Sequence, residues 1–159
     1  MAKFSDIANK KVAETVRPPL PPVGMYTMQI TGPYTVRETS GPKGDFEIMS
    51  FPMGGVQGHD DVDQEELAAF GGAKNVRGKK DFIFNNGEGE EVNFLGTENQ
   101  LKDFLYKHLG ISEDEAPTYQ EALAFATGRT CLAEIGHRPD ARDPENFFTD
   151  IKKTMSLEE

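Results

Sequence analysis

From Gly24 the chain alternates in a period of two. Tyr26, Met28 and Ile30 interleave with Thr27, Gln29 and Thr31, and Tyr34 and Val36 continue the pattern past Gly32-Pro33. Alternation of this kind marks a strand with one buried face, and a Gly-Pro step bends a strand at its edge. The segment therefore reads as one long, bent strand. Gly and Pro together, 16 and 10 residues of 159, punctuate the rest of the chain. Such punctuation favours short strands and turns over a helix bundle.

The remaining elements follow from the same reading. Residues 1–16 carry Phe4, Ile7, Val12 and Val16 at roughly helical spacing, which predicts a short N-terminal helix. Arg17-Pro18-Pro19-Leu20-Pro21-Pro22 predicts a polyproline lead-in, so residues 1–22 read as an arm. After a turn at Ser40–Gly44, a second strand runs from Asp45 to Met53. Gly54 to Gly72 reads as an insertion, acidic over 57–72, with Asp61 or Asp63 capping a short helix that ends near Phe70. Asp81–Phe84 predicts a third strand, Asn85-Asn86-Gly87 a turn, and Glu90 to Leu95 a short fourth strand. Leu101, Phe104, Leu105 and Leu109 place a helix between Thr97 and Gly110, and a second helix spans Thr118 to Ala126. Arg129 to Gly136 and Phe147 to Met155 are the closing strands, separated by a polar loop from His137 to Glu145.

Charge and cysteine content exclude several classes. Lys plus Arg is 17 against 27 Asp plus Glu, a net charge of -10. A wholly basic coat for duplex DNA is excluded, although a local basic groove is not. One cysteine, Cys131, rules out an intrachain disulfide and suits a reducing compartment. No apolar run approaches the roughly 20 residues of a membrane span. Met1–Asp6 carries no signal-peptide core, so the expectation is a soluble, cytoplasmic protein with no membrane partner.

About five antiparallel strands, with helices before the last pair, predict a mainly β fold with inserted helices, an OB-like barrel. A small β-sandwich with a helical cap is the alternative. Several segments carry a more specific likeness. They are Pro22–Ile30, Phe46-Glu47-Ile48, Val76–Phe84, Leu101–Gly110, Thr127–Leu132 and Asn146–Ile151. In this order, over about residues 22–155, the chain resembles the small single-stranded-DNA-binding proteins of bacteriophages, a broad family found in phage replication and recombination clusters. The acidic insertion and the polyproline lead-in depart from the short pattern of that family. The resemblance implies an OB fold over residues 23–155, binding of single-stranded DNA, no catalysis and no cofactor. It also implies phage replication or recombination proteins as partners and the host cytoplasm as location.

Single-strand binding needs cations for phosphates and flat side chains for bases. Lys74, Arg77, Lys79 and Lys80 fall within seven residues with no acid among them. Arg37 ends the first strand and Lys43 lies in the turn after it. Arg138 and Arg142 lie in the last loop, and Lys152 and Lys153 in the last strand. Phe82 and Phe84 should face inward, leaving Ile83 outward, and Tyr26 reads as core. Phe147 and Phe148 are consecutive and point to opposite faces; Phe46 and Phe51 do the same across their strand. These four are the stacking candidates.

Other chemistries find less support. His59, Asp60, Asp61 and Asp63 lack the glycine and glutamate offsets of an EF-hand loop, so a helix cap is the preferred reading and no metal site is predicted. Cys131 with His108 or His137 matches no nucleophile motif. A rival reading takes the acidic charge as the signal: a protein–protein interaction module, or a DNA mimic that occupies a host protein's groove. Clustering of cations on one face separates the two. Homo-oligomerisation is compatible with either, and the tail at 156–159 is short, acidic and without a Pro-Phe end.

Overall fold

The computed structural model describes residues 4–14, 19–41, 44–85, 91–143 and 146–157. It contains six antiparallel strands in one sheet, an OB-like arrangement. The strands are β1 (Gly24–Ile30), β2 (Thr35–Gly41), β3 (Gly44–Gly58), β4 (Arg77–Asn85), β5 (Thr130–Pro139) and β6 (Phe147–Met155). The helices are α1 (Gln64–Phe70), α2 (Glu91–Lys102) and α3 (Tyr119–Ala126).

The bend at Gly32-Pro33 is where the alternation places it. β1 and β2 are the two arms of one bent strand, and β3 runs antiparallel to both: Ile30 pairs with Met53, and Thr35 with Ser50. Thr31 bridges the step, its N–H donating to the Pro52 carbonyl at 3.0 Å. β3 is long enough to hold both arms on one edge and β4 on the other. β5 pairs with β1, and β6 with β5.

The sheet curls until its ends meet. β4 and β6 come into contact, with a Cβ at Gly78 standing only 3.2 Å from the Ile151 side chain. Lys80 and Phe82 share a cleft with Lys152, Lys153 and Thr154 farther along, so the two strands run side by side in the same direction.

Inside the curl, Tyr26, Met28, Ile30, Phe51, Met53, Phe82, Cys131, Ala133 and Ile135 are buried. Phe51, Phe82 and Phe104 form an aromatic triangle with centroids 5.2 to 5.8 Å apart. Edge and tilted contacts of this kind add to the burial of the rings themselves. Phe104 and Leu105 plug one end of the curl from a π-helical turn, Asp103–His108, that continues α2. α3 packs beside it through Ala122 and Ala126, capped by the Thr118 hydroxyl accepting from the Glu121 N–H at 3.2 Å.

Four expectations need correction. Glu90 to Leu95 is not a strand: α2 begins at Glu91, and Phe94 packs on Phe84 with centroids 5.0 Å apart. A six-residue segment with three apolar positions does not distinguish a strand from the start of a helix, and here contact with β4 decides it. Gly54 to Gly58 belongs to β3, not to the insertion. These glycines are close-approach positions: a Cβ at Gly55 would collide with the Ala73 carbonyl, and one at Gly58 would stand 2.9 Å from Leu67. The closing loop is shorter than expected, because β5 runs on through Pro139. The N-terminal helix is reduced to two 3-10 turns, Phe4–Asp6 and Val12–Glu14, whose Phe4, Ile7 and Val12 are exposed. Among the described residues that apolar stripe is left largely uncovered, and a helix this short is marginal without packing.

The described part of the proline lead-in is pinned to the domain. Pro21 and Pro22 are buried. The Tyr26 hydroxyl donates to the Pro22 carbonyl at 2.6 Å, and His137 Nε2 donates to the Pro21 carbonyl at 2.6 Å. The turn at Asn86-Gly87 lies outside the described residues, as does most of the acidic run Glu88 to Glu91.

Candidate nucleic-acid interface

In an antiparallel ladder, directly opposed residues share a face. The register therefore sorts the outer surface of the β2–β3–β4 sheet. Arg37 lies opposite Ile48, and Ile48 opposite Ile83. Thr39, Phe46 and Asn85 form the next rung; Pro52 and Lys79, then Gly54 and Arg77, extend the face along β4. Phe82 and Phe84, at alternate positions of β4, are buried on the other side, so this face is the outer one. Its centre is apolar, with Ile83 52% exposed and Phe46 and Ile48 half-buried. Its rim is cationic, and Arg37, Arg77 and Lys79 form no ion pair among the described residues.

The acids of these strands largely take the opposite face. Glu38 and Glu47 are direct cross-strand neighbours there, beside Ser40 and Asp45. Asp81 is the acid on the cationic face, and it accepts a hydrogen bond from the Ser50 hydroxyl. Charge is thus segregated across a two-residue period in a chain whose net charge is -10.

The predicted site residues divide by position. Arg37, Phe46, Arg77 and Lys79 come together on this face. Arg138 and Phe148 oppose each other on β5 and β6, on the outer side of the curl, because Ile135 and Ile151 mark the inner side three rungs away, an odd number. β6 runs alongside β4 with Ile151 at Gly78, so its first residues extend toward the 73–77 end of β4. Phe148 and Arg138 therefore extend the cationic face around the closing edge. Phe147, like Phe148, is 45% exposed but points to the opposite side, with Pro139. Lys74, in the 73–75 turn, and Arg142, in the β5–β6 loop, are exposed. Lys43 lies outside the described residues.

Phe51 and Lys80 do not belong to the face either. Phe51 is 1% exposed and sits in the central aromatic triangle, so it cannot stack on a base. It is five residues from Phe46, an odd separation, and the inward side is the one it takes. Lys80 points the opposite way from Lys79. Its ammonium lies 5.4 Å from the centre of the Phe82 ring, and burial pushes its pKa down, against the opposing pull of Cys131, Asp150 and Asp81. It lines the cleft between β4 and β6, whereas the Lys152 stem lies over Gly136 of β5 and Lys153 stands opposite Glu134. Lys152 is also held by Asp150 at 3.4 Å.

Ile48 and Ile83 are the face residues that sequence reasoning passed over as contacts. Alternation already turned Ile83 outward as a poor stacker; that Ile48 stands opposite it on the same face is shown by the register. The acidic insertion has structural work to do. Asp63 caps α1, accepting from the Glu65 and Glu66 N–H groups at 3.0 Å. Asp61 accepts from the Met25 N–H at 2.9 Å, and His59 Nε2 lies 2.8 Å from the Thr27 hydroxyl. Cys131 is fully buried, and desolvation pushes its thiol up to about 12, which makes it a packing residue and not a nucleophile.

Among the described residues no helix is long and apolar enough to cross a membrane, and no group of three His, Cys, Asp or Glu side chains could hold a metal ion. No protein-family model matches the chain, and none of the curated proteins matches it significantly.

Proposed function

We propose that this protein binds single-stranded DNA with little sequence preference, across the outer face of β2–β3–β4. The carrying observation is the segregation of charge. Arg37, Arg77 and Lys79 rim an apolar strip of Phe46, Ile48 and Ile83, while Glu38 and Glu47 occupy the other side of the same strands. Cations placed this way meet phosphates, and an exposed apolar strip meets base faces, neither of which depends on base identity. Arg138 and Phe148 extend the path around the β4–β6 edge. The reading agrees with the resemblance to the bacteriophage single-stranded-DNA-binding proteins, and it involves no chemical step. Acids on the remaining surface keep the chain soluble and disfavour binding elsewhere.

The test is fluorescence anisotropy of labelled oligo-dT, titrated at low and moderate salt with duplex and RNA competitors. Binding that weakens with salt and resists duplex competition is expected. Absence of binding at low salt refutes the proposal.

A further inference from the structure

One residue of the β2–β3–β4 face does not suit a surface made only for phosphates and base planes. Asp81 is an exposed acid in its middle. Along β4 it stands between Ile83 and Lys79, two residues from each and on the same side. Across the sheet it shares a rung with Ser50 and Thr35. The apolar rung of Ile48 and Ile83 lies on one side of it, and the rung of Pro52 and Lys79 on the other. A carboxylate placed here opposes phosphates, so it lowers affinity for the backbone unless it meets hydrogen-bond donors.

The surroundings hold that carboxylate and leave it open. Ser50 is 6% exposed, and its hydroxyl donates to Asp81 Oδ1 at 2.5 Å. The bond fixes the carboxylate from beneath and uses one of its roughly four acceptor sites. Asp81 forms no ion pair among the described residues, and neither does Lys79. The two charges thus stand side by side for two different groups of a strand. The ammonium suits a phosphate, and the carboxylate suits the donor edge of a base.

Bases differ in what they offer a carboxylate. On its Watson–Crick edge guanine presents N1–H and N2–H side by side. Thymine presents one N–H between two carbonyl oxygens. Adenine and cytosine each present an amino group beside an acceptor nitrogen. Two parallel charge-assisted hydrogen bonds therefore form with guanine alone. Unpaired bases splayed on a protein surface are read at this edge. A base lying on the Ile48–Ile83 strip reaches the next rung with its edge, since that rung is only about 7 Å away.

We propose that Asp81 accepts from guanine N1–H and N2–H and so selects guanine at one position of a bound strand, an inference that rests on the single-strand function proposed above. Lys79 meets the adjoining phosphate, and the other bases of the path stay unread.

The experiment compares labelled oligonucleotides of ~12 nucleotides by fluorescence anisotropy at low salt. They are oligo-dT, alternating dT-dG, and alternating dT-deoxyinosine. Deoxyinosine keeps the purine stack and N1–H but lacks the 2-amino group. Alternation brings a purine to Asp81 in every second register. The wild-type protein should bind the dT-dG strand about tenfold more tightly than oligo-dT, with the deoxyinosine strand between them. Asp81→Asn keeps the shape and an acceptor for Ser50, and it gives up the paired acceptors. It should bring the dT-dG and deoxyinosine strands to within about twofold of each other. It should bind oligo-dT at least as tightly as the wild-type protein, because the opposing charge is gone. Lys79→Gln should weaken all three strands alike and keep their order. Equal binding of the dT-dG and deoxyinosine strands by the wild-type protein, or a guanine preference that survives Asp81→Asn, overturns the role of Asp81 and leaves the single-strand function standing. Failure to bind oligo-dT overturns both.

Discussion

The salt dependence of binding puts the cationic face to a quantitative test. Each phosphate neutralised on a single strand contributes a slope of about -0.7 to the plot of log affinity against log salt. Arg37, Arg77 and Lys79 lie on one face with no acid paired to them, so each is free to meet one phosphate. Replacing all three by Gln should therefore flatten the slope by about 2. Between ~50 and ~200 mM salt, the wild-type protein should lose roughly 20-fold more affinity than the variant. The three side chains are exposed, so stability should change by no more than about 0.5 kcal/mol for each. The assay is anisotropy with oligo-dT across a salt series, with thermal melts of both proteins beside it. A control variant replaces Lys102 and Lys107, which pair with Glu113 and Asp103 on the helical side, and should leave the slope unchanged. A triple variant with the wild-type slope, or a control with the flattened one, would refute the assignment of the face.

Three further outcomes separate binding from folding. Phe46→Ala should weaken oligo-dT binding by about 1–3 kcal/mol with an unchanged melting temperature, since base stacking is worth that much per base. Phe51→Ala should instead cost about 3–5 kcal/mol of stability in urea melts, because the ring is wholly enclosed by Phe82 and Phe104. Burial, with Asp61 nearby, pushes the Tyr26 hydroxyl up to about 12. The folded state therefore holds this proton more tightly than the unfolded chain, whose tyrosines titrate near 10. The contribution is complete below pH ~10 and is lost as pH rises toward ~12. Urea midpoints measured across that window should fall more steeply in the wild-type protein than in Tyr26→Phe, and equal falls would sink the argument.

Much of the fold was legible because its signals are local. Of the two capping candidates, Asp61 and Asp63, it is Asp63 that caps α1, and the second helix starts where it was read, with Thr118 as its cap, because a side-chain oxygen beside free N–H groups has the same use in any context. Gly32-Pro33 read as a bend because proline cannot join a ladder. The bounds of β6 match Phe147 to Met155. Glu90 to Leu95 was not legible: the run is too short for its period to show, and the Phe84 ring that organises it lies in another element. Gly54 and Gly55 read as loop residues, although their absent side chains make room for Thr31 and for the 73–75 turn.

For the candidate site, the residue types were in the sequence and the grouping was not. Alternation alone determined that Lys79 and Lys80 part company, that Phe46 and Phe51 cannot share a face, and that Tyr26, Met28 and Ile30 stay together. Which member of each pair turns outward was decided by the ladders. Arg37, Ile48 and Ile83 meet on one line only because β2, β3 and β4 pair in this register. A slip of one residue would send each to the other side. Period-two geometry is local, whereas the burial of Phe51, Phe82 and Phe104 against one another joins segments more than twenty residues apart and selects the register. The same packing that fills the core thus leaves the cations outside.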